Sequence, residues 1–507
     1  MIAFGRPRVR AGLPPAAVAV VLLGAAALLA GAAGLQRAGL TRLVPIGLVA
    51  ALVALAVVSN WRRGLYVLLL WIVFEDLPRK YLGNNMLIFF SKDVVAGLVY
   101  FVFLAAARRG GLPRMRPRFA LPLALFAAWA AVQVFNPNSP SPLYGLMGLR
   151  LYFFYVPLMF LGYALLRDEA DLRRFVRFNL AVAAVVAALG IAQGIVGLDF
   201  LNPPELAPEL YLARLVRQAP ITGALVPRPT SVFVSDGRFA WYMLVMFLLG
   251  SGALVWLRVR RGRTVWEVAG ALGLIVAAIV VSGSRGTFMY MLGSAAVLTA
   301  GVLWGARARL RTMVVRALQP ALALGGLALV GVLVLFPEAV GARWSFYYET
   351  IAPWSPTSEL AWRVWGYPVA NFLGAFAYPS WPVGYGTGTS SLGVQYATGL
   401  LGLPEPGIGV ESGYGTLVLE LGVLGLPLWL LWTSSLVREG WRVVRRLRGS
   451  ALFPVGFAIL WFAFLLLFPF TFGGMQPYQN YVFNAYLWLL LGILWRLPEL
   501  RTMHGRV

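Results

Sequence analysis

The stretch VSGSRGTFMYML, residues 281–292, places one arginine between two apolar runs, Val265 to Val281 and Phe288 to Trp304, each close to the length of a membrane span. An unpaired guanidinium in hydrocarbon is costly, so Arg285 either sits at a membrane surface or is needed where it is. A second stretch, GVESGYG (409–415), holds Glu411 next to Ser412, Gly413 and Tyr414, at the mouth of another apolar run. Arg228 and Arg238 flank the polar start of RPTSVFVSDGRFAWYM (228–243), and Arg363 opens WRVWGYPVANFL (362–373). Arginine is always charged and grips phosphate-like oxygens through a planar fork. A carboxylate can take the proton of an attacking hydroxyl.

Each of these residues also has a plainer role. Arg285 can be an anchor that snorkels to the surface. Glu411 can be favourable charge at a helix N-terminus. Arg363 follows Glu359 by four residues, the spacing of a helical ion pair. Arg238 begins a span and can anchor it. Arg214 and Arg217, three apart, fit an amphipathic segment lying on the membrane, and Arg343 adds a further cation. Glu420, deeper in the run that Glu411 opens, needs a partner, which an arginine on a neighbouring helix would supply. Glu75, Asp76, Arg79, Lys80, Lys92 and Asp93 form another cluster, either a binding site or a set of ion pairs closing the bundle.

Composition excludes other chemistries. The chain lacks cysteine, and so lacks disulfides, Cys–Zn sites and thiol nucleophiles. Its single histidine, His504, lies in the last few residues, which argues against a His-based metal centre or triad. No Asp-x-Asp occurs in the exterior segments, and RDEAD (167–171) reads as a helix start rather than a metal site.

The elements that must position these residues are membrane helices. Of 507 residues, 60% are hydrophobic and only 12% charged, and runs of about 20 apolar residues recur throughout. The expected fold is an all-α polytopic membrane protein with about 14 spans, near 15–34, 42–59, 64–75, 88–107, 119–136, 149–166, 174–197, 238–257, 265–283, 286–304, 315–336, 414–437, 452–472 and 480–496. With the N-terminus inside, the cytoplasmic segments carry 30 of the 43 Lys and Arg. The positive-inside rule supports that orientation, with both termini cytoplasmic. The net charge of +24 then reflects anchors facing anionic lipid, not nucleic-acid binding. The first apolar run is expected to be a retained helix rather than a cleaved leader. The organisation is a bundle over 1–336 with an exterior loop at 198–237, a large exterior loop over 337–413, and C-terminal spans and tail over 414–507. In the large loop, SPTSELAWRVWGYPVANFLGAF (355–376) reads as a helix capped by Ser355 and ended or kinked by Pro368. PVGYGTGTSSLG (382–393) reads as a glycine-rich turn whose Thr389 faces outside.

Four stretches, RPTSVFVSDGRFAWYM, VSGSRGTFMYML, WRVWGYPVANFL leading to GYGTGT, and GVESGYGTLVLELGVLGL, resemble in order and placement the O-antigen polymerase and O-antigen ligase superfamily, the Wzy-type and WaaL-type enzymes. FEDLPRKYLGNNMLIFFSKDVVAGLVYF (74–101) is similar to a span pair of the exopolysaccharide polymerases in that group. The resemblance implies a glycosyltransferase of GT-C type at the outer face of a bacterial inner membrane. Its donor would be an undecaprenyl-diphosphate-linked oligosaccharide and its acceptor a glycan hydroxyl, with no cofactor or metal and inversion at the anomeric carbon. Arg285 and Arg228 would then stabilise the diphosphate leaving group, and Glu411 would be the base. Arg363, Arg238, Arg79, Lys80 and Tyr414 would bind diphosphate or glycan. Many ligases of the group carry a histidine where this chain has Glu411, which favours a polymerase over a ligase. A flippase for lipid-linked sugars is a third expectation, set back by the absence of a clear internal repeat.

Overall fold

The computed structural model describes residues 51–504, apart from 52, 84, 114, 207–214, 261–263, 306–333, 335–336, 393, 395–397, 400–401 and 469–475. The expected span 15–34, nearly all of 315–336, most of 42–59, and Arg214 lie outside the described residues.

The chain separates into two units, residues 1–114 and 115–507. In the first, α1 (Trp61–Phe74), α2 (Asp76–Tyr81) and α3 (Met86–Arg108) follow one another. Asn60 and Asn85 cap α1 and α3, accepting from the amides of Arg62 at 2.9 Å and Leu87 at 2.8 Å. Glu75, Asp76, Arg79, Lys80 and Lys92 are all buried. Lys92 pairs with Glu75 at 3.6 Å and Arg79 with Asp76 at 3.5 Å, so this cluster ties α1, α2 and α3 together.

The second unit begins with α4 (Ala120–Val132), α5 (Pro142–Phe153), α6 (Leu158–Leu165) and α7 (Glu169–Val196). A hairpin of β1 (Val216–Gln218) and β2 (Leu225–Pro227) follows, with Arg217 opposite Val226. Then come α8 (Asp236–Val259), α9 (Val265–Val281), α10 (Arg285–Gly305), α11 (Pro337–Ile351) and α12 (Tyr367–Gly374). The unit closes with α13 (Gly413–Leu421), α14 (Gly425–Arg446), α15 (Phe453–Leu467), α16 (Gln476–Gln479) and α17 (Tyr481–His504). Helix α8 is apolar and buried on nearly every face, among α7, α9 and α15, and forms the centre of the unit.

The described part is therefore an almost wholly helical bundle. Seven of its helical segments are long and apolar enough to cross a membrane. Three more, Ala120–Phe135, Val265–Val281 and Phe453–Leu467, are apolar but shorter. The expected count of fourteen spans is not reached among the described residues, because three of those spans lie wholly or largely outside them and α1 and these three helices are shorter than a full crossing needs.

Cross-contacts define the two ends of the second unit. At one end Arg260 pairs with Glu169, Arg177 with Glu267 at 2.9 Å, and Glu439 accepts from the amide of Arg118 at 3.0 Å. This end gathers the arginine-rich connections. At the other end the buried Arg343 donates to the carbonyls of Val281, Gly194 and Pro227, at 2.9, 3.4 and 3.2 Å. It thereby joins the ends of α9, α7 and β2.

That second end is built from both expected exterior segments. Ala219 and Val226 of the hairpin pack with Phe346 and Tyr347 of α11 in one apolar cluster, against Phe288 at the start of α10. Glu349, buried on α11, accepts from the amides of Ile221 at 2.6 Å and Thr222 at 3.2 Å and so holds the hairpin turn.

Three local expectations are corrected. Ser355 does not cap the helix of the large loop. Its hydroxyl donates to the Glu349 carbonyl at 2.8 Å, and the helix starts only at 360. Pro368 does not end that helix, because a π turn at Trp362–Gly366 precedes it and re-routes the backbone bonds that a proline would break. The glycine-rich turn is not an exposed loop either. Tyr385 and Gly386 donate to the carbonyls of Leu419 and Glu420, at 2.7 and 3.0 Å, and Thr389 is fully buried. This insertion meets the break between α13 and α14 at Gly422, where the amide of Val423 donates to Pro382. Irregular backbone within a membrane bundle is tolerated where protein surrounds it, as here.

Candidate active site

The site starts at the α9–α10 turn. Helix α9 ends at Val281 and α10 begins at Arg285, so GSRG is the tight turn that the sequence suggested. The hydroxyl of Ser284 lies 3.0 Å from that of Thr287 at the start of α10. Arg285, the first residue of α10, reaches Glu359 at 3.3 Å and lies over the Phe346 ring, 5.1 Å from its centroid. It is partly shielded but accessible, with a quarter of its side chain exposed (25%).

Glu359 receives a second cation. Arg363 Nε donates to the same carboxylate oxygen, Oε2, at 2.8 Å. The expected helical ion pair is thus present, but it is shared with Arg285 from a distant part of the chain. Burial acts to raise the pKa of Glu359. The hydrogen bond from Arg363 and the charges of both arginines outweigh that, and it lies below the ordinary carboxylate value. Glu359 is therefore ionised near neutral pH, and two guanidiniums converge on one charge.

From Arg363 the site runs along one helix. The guanidinium lies over the Tyr367 ring at 5.3 Å. The Tyr367 hydroxyl donates to Glu411 Oε2, and the Glu411 amide donates to Asn371 Oδ1 at 3.2 Å. Glu359, Arg363, Tyr367 and Asn371 are spaced by four. Such a row drifts around an α-helix of 3.6 residues per turn. The wider π turn at Trp362–Gly366 offsets that drift, so all four face the same structure. Burial first, then the hydrogen bond and charge of Glu411, raise the Tyr367 pKa, so this hydroxyl keeps its proton and remains a donor.

Glu411 is exposed and does not cap α13. Ser412 is the cap, accepting from the amide of Gly415 at 3.1 Å. Ser412 thus supplies the hydrogen-bonding cap, while Glu411, one residue before it, keeps the plainer role of negative charge near the helix N-terminus as an alternative. Tyr414 stands half-buried in the first turn of α13. Glu420 is fully buried and meets no arginine among the described contacts. It accepts from the Tyr152 hydroxyl at 2.9 Å and the Ser390 amide at 3.1 Å, and so ties the glycine-rich turn to α5 and α13.

The other candidates fall outside this chain of contacts. Arg228 is ion-paired with Asp236. It still lies beside the Arg285 turn, since a methyl group at Gly283 would come within 3.2 Å of Arg228 Cγ. Arg238 is buried and donates to the Tyr481 hydroxyl at 3.0 Å, with its guanidinium 4.7 Å from that ring's centroid, which fits a packing role between α8 and α17. Arg79 and Lys80 belong to the first unit, where both are buried and Arg79 lies over the Phe89 ring at 5.2 Å.

Arg285, Arg363 and Glu411, chosen from three separate stretches, therefore lie in one continuous run of contacts from Arg285 to Glu411. The sequence alone assigns no individual role to Tyr367 or Asn371, and it shows Glu359 chiefly as the helical partner of Arg363. The signal was available as the repeated spacing E-x3-R-x3-Y-x3-N from 359 to 371.

Chemically, the arrangement offers two accessible guanidiniums for an anionic oxygen cluster at one end and an exposed, hydrogen-bonded carboxylate at the other. Exposed rings of Trp354, Trp362 and Trp365 belong to the same segment. Comparison of the chain with models of known protein families and with curated proteins finds no match.

Proposed function

We propose that the protein is a membrane glycosyltransferase that polymerises polyprenyl-diphosphate-linked glycan units at the outer face of a bacterial inner membrane. The observation that carries this reading is the run of contacts Arg285–Glu359–Arg363–Tyr367–Glu411, at the end of the second unit opposite its arginine-rich connections.

In this reaction the acceptor hydroxyl attacks the anomeric carbon of the donor glycan. The new C–O bond forms as the bond to the diphosphate breaks, and the electron pair leaves with the diphosphate. Charge grows on the leaving group, and fixed guanidiniums aimed at that charge lower the barrier. Arg285 and Arg363 fill this role, with Glu359 holding them in place until the diphosphate arrives. Glu411 takes the hydroxyl proton as the nucleophile attacks. Tyr367 orients that carboxylate, and Asn371 fixes its backbone. The exposed tryptophans offer faces on which sugar rings stack.

The test is purified protein in liposomes with a lipid-linked oligosaccharide, read as a ladder of longer lipid-linked products. Elongation is expected, and it should survive EDTA. Loss on chelation with recovery on Mg²⁺ would replace the arginine mechanism. Transfer only to a foreign lipid or protein acceptor would indicate a ligase, and translocation without elongation a flippase.

A further inference from the structure

We propose a second, independent site: a cleft between α7 and α9 at the arginine-rich end of the second unit binds the headgroup and upper acyl chains of one anionic phospholipid. The cleft has a volume of about 620 Å³. Its wall on α7 changes character along the helix. Arg173, Arg174 and Arg177 line it near the helix start, and Phe178, Ala181 and Ala184 continue it inward. From Arg173 to Ala184 the helix rises about 16 Å, which is enough for a headgroup and the beginning of its chains. The alanines leave the space, and Val268 and Ala271 of α9 face it with further apolar surface.

The polar half is set up for an anion. Arg173 Nε is shut off from solvent and makes no hydrogen bond. That atom is closed to a ligand as well, and it is the outer nitrogens of Arg173, on a side chain only partly buried in the cleft wall, that a phosphate oxygen can meet. Of the neighbouring arginines, Arg177 has the acidic partner that is most easily exchanged. Arg177 meets Glu267 at 2.9 Å with both side chains more than half exposed, whereas Arg174, itself exposed, meets a buried Asp171 at 3.1 Å that also holds Arg167. A pair as exposed as that of Arg177 contributes little. Three arginines against the single lining carboxylate of Glu267 leave the cleft positive. A soluble anion would use only the polar half, whereas a phospholipid matches both halves, and basic pockets between membrane helices are the usual seats of acidic headgroups.

The experiment uses the full chain, purified in detergent and incubated with equal amounts of phosphatidylglycerol and phosphatidylcholine. Retained lipid is counted by native mass spectrometry. One phosphatidylglycerol per chain should be held in preference. Arg173→Gln should weaken its retention about fivefold, and Arg173→Gln with Arg177→Gln by the product of two such steps. Ala184→Leu, which keeps the arginines and fills the apolar half, should weaken it as well. A thermal melt of each variant without lipid identifies any that has lost its fold, and Arg173→Lys then takes its place, expected to hold an intermediate amount. Arg442→Gln, exposed and outside the cleft, should change nothing. Equal retention of phosphatidylcholine would overturn the proposal. So would displacement by free glycerol 3-phosphate, which would indicate a soluble-anion site, or an equal loss in Arg442→Gln, which would indicate diffuse attraction.

Discussion

At the residue scale the site rests on the difference between a fork and a point charge. Arg285 shares Glu359 with Arg363, and a lysine at 285 would keep the charge but lose bidentate contact with a diphosphate. Arg285→Ala should abolish elongation while the protein still inserts and purifies, and Arg285→Lys should be poorly tolerated. Near-normal turnover of both would make Arg285 an anchor and shift attention to Arg228. Glu411→Gln keeps size and removes basicity, so transfer should fall about 10²–10⁴-fold with donor binding largely kept. A thermal melt of the same preparation should barely move, because Ser412 rather than Glu411 caps α13. Tyr367→Phe removes one donor to Glu411 and should cost about tenfold in rate, as for a single hydrogen bond to a charged group. The arginines and the glutamate were legible because charge is rare in so apolar a chain. Tyr367 and Asn371 were not, because tyrosine and asparagine are unremarkable among interfacial residues, and only the π turn aligns them.

At the element scale the hairpin and the segment after α10 are held by a few buried polar groups. Burial acts to raise the pKa of Glu349, but the Ile221 and Thr222 amides outweigh it and hold it below the ordinary value. A depressed carboxylate stabilises the fold above its unfolded pKa, and that stability is lost as pH falls through the folded pKa. Melting temperature should therefore decline on acidification through and below the usual carboxylate range, and Glu349→Gln should flatten that decline. Glycines give a test with opposite signs. Gly388 has φ +82°, and a methyl group there would lie 2.2 Å from the Tyr144 carbonyl. Gly388→Ala should lower the melt sharply, with backbone strain alone costing about 1–3 kcal/mol. Gly270, within α9, has nothing within 4 Å of such a methyl group. Gly270→Ala should be neutral or stabilising by about 0.5–1 kcal/mol. Equal effects would contradict the inserted turn. Helix positions were legible from apolar runs, and the starts of α8 and α9 fall within about two residues of expectation. The inserted turn was not, because a glycine-rich polar stretch reads as a surface loop unless its long-range partners, Leu419 and Glu420, are known.

At the scale of the whole molecule, the two ends of the second unit are chemically different, and this difference yields an expected orientation in a membrane. One end holds Arg177, Arg260 and Arg448, the last over Trp304 at 4.2 Å. The other holds Arg285, Glu359 and Glu411. Basic connections stay in the cytoplasm during insertion, so the site should face outward. The absence of native cysteine allows this to be read from single substitutions. Ser139→Cys and Trp354→Cys should react with a membrane-impermeant maleimide on intact cells. Ser139 adjoins Asn138, whose side chain donates to Gly384 beside the inserted turn, and Trp354 is 74% exposed next to the site segment. Arg174→Cys and Arg445→Cys, both exposed at the arginine-rich end, should react only after permeabilisation. The first pair reports on the end that holds the site and the second on the arginine-rich end, so each end is checked twice. Labelling of Arg445→Cys on intact cells would invert the orientation. The run from Arg285 to Glu411 would then face the cytoplasm, and an outer-face glycan polymerase would no longer fit it.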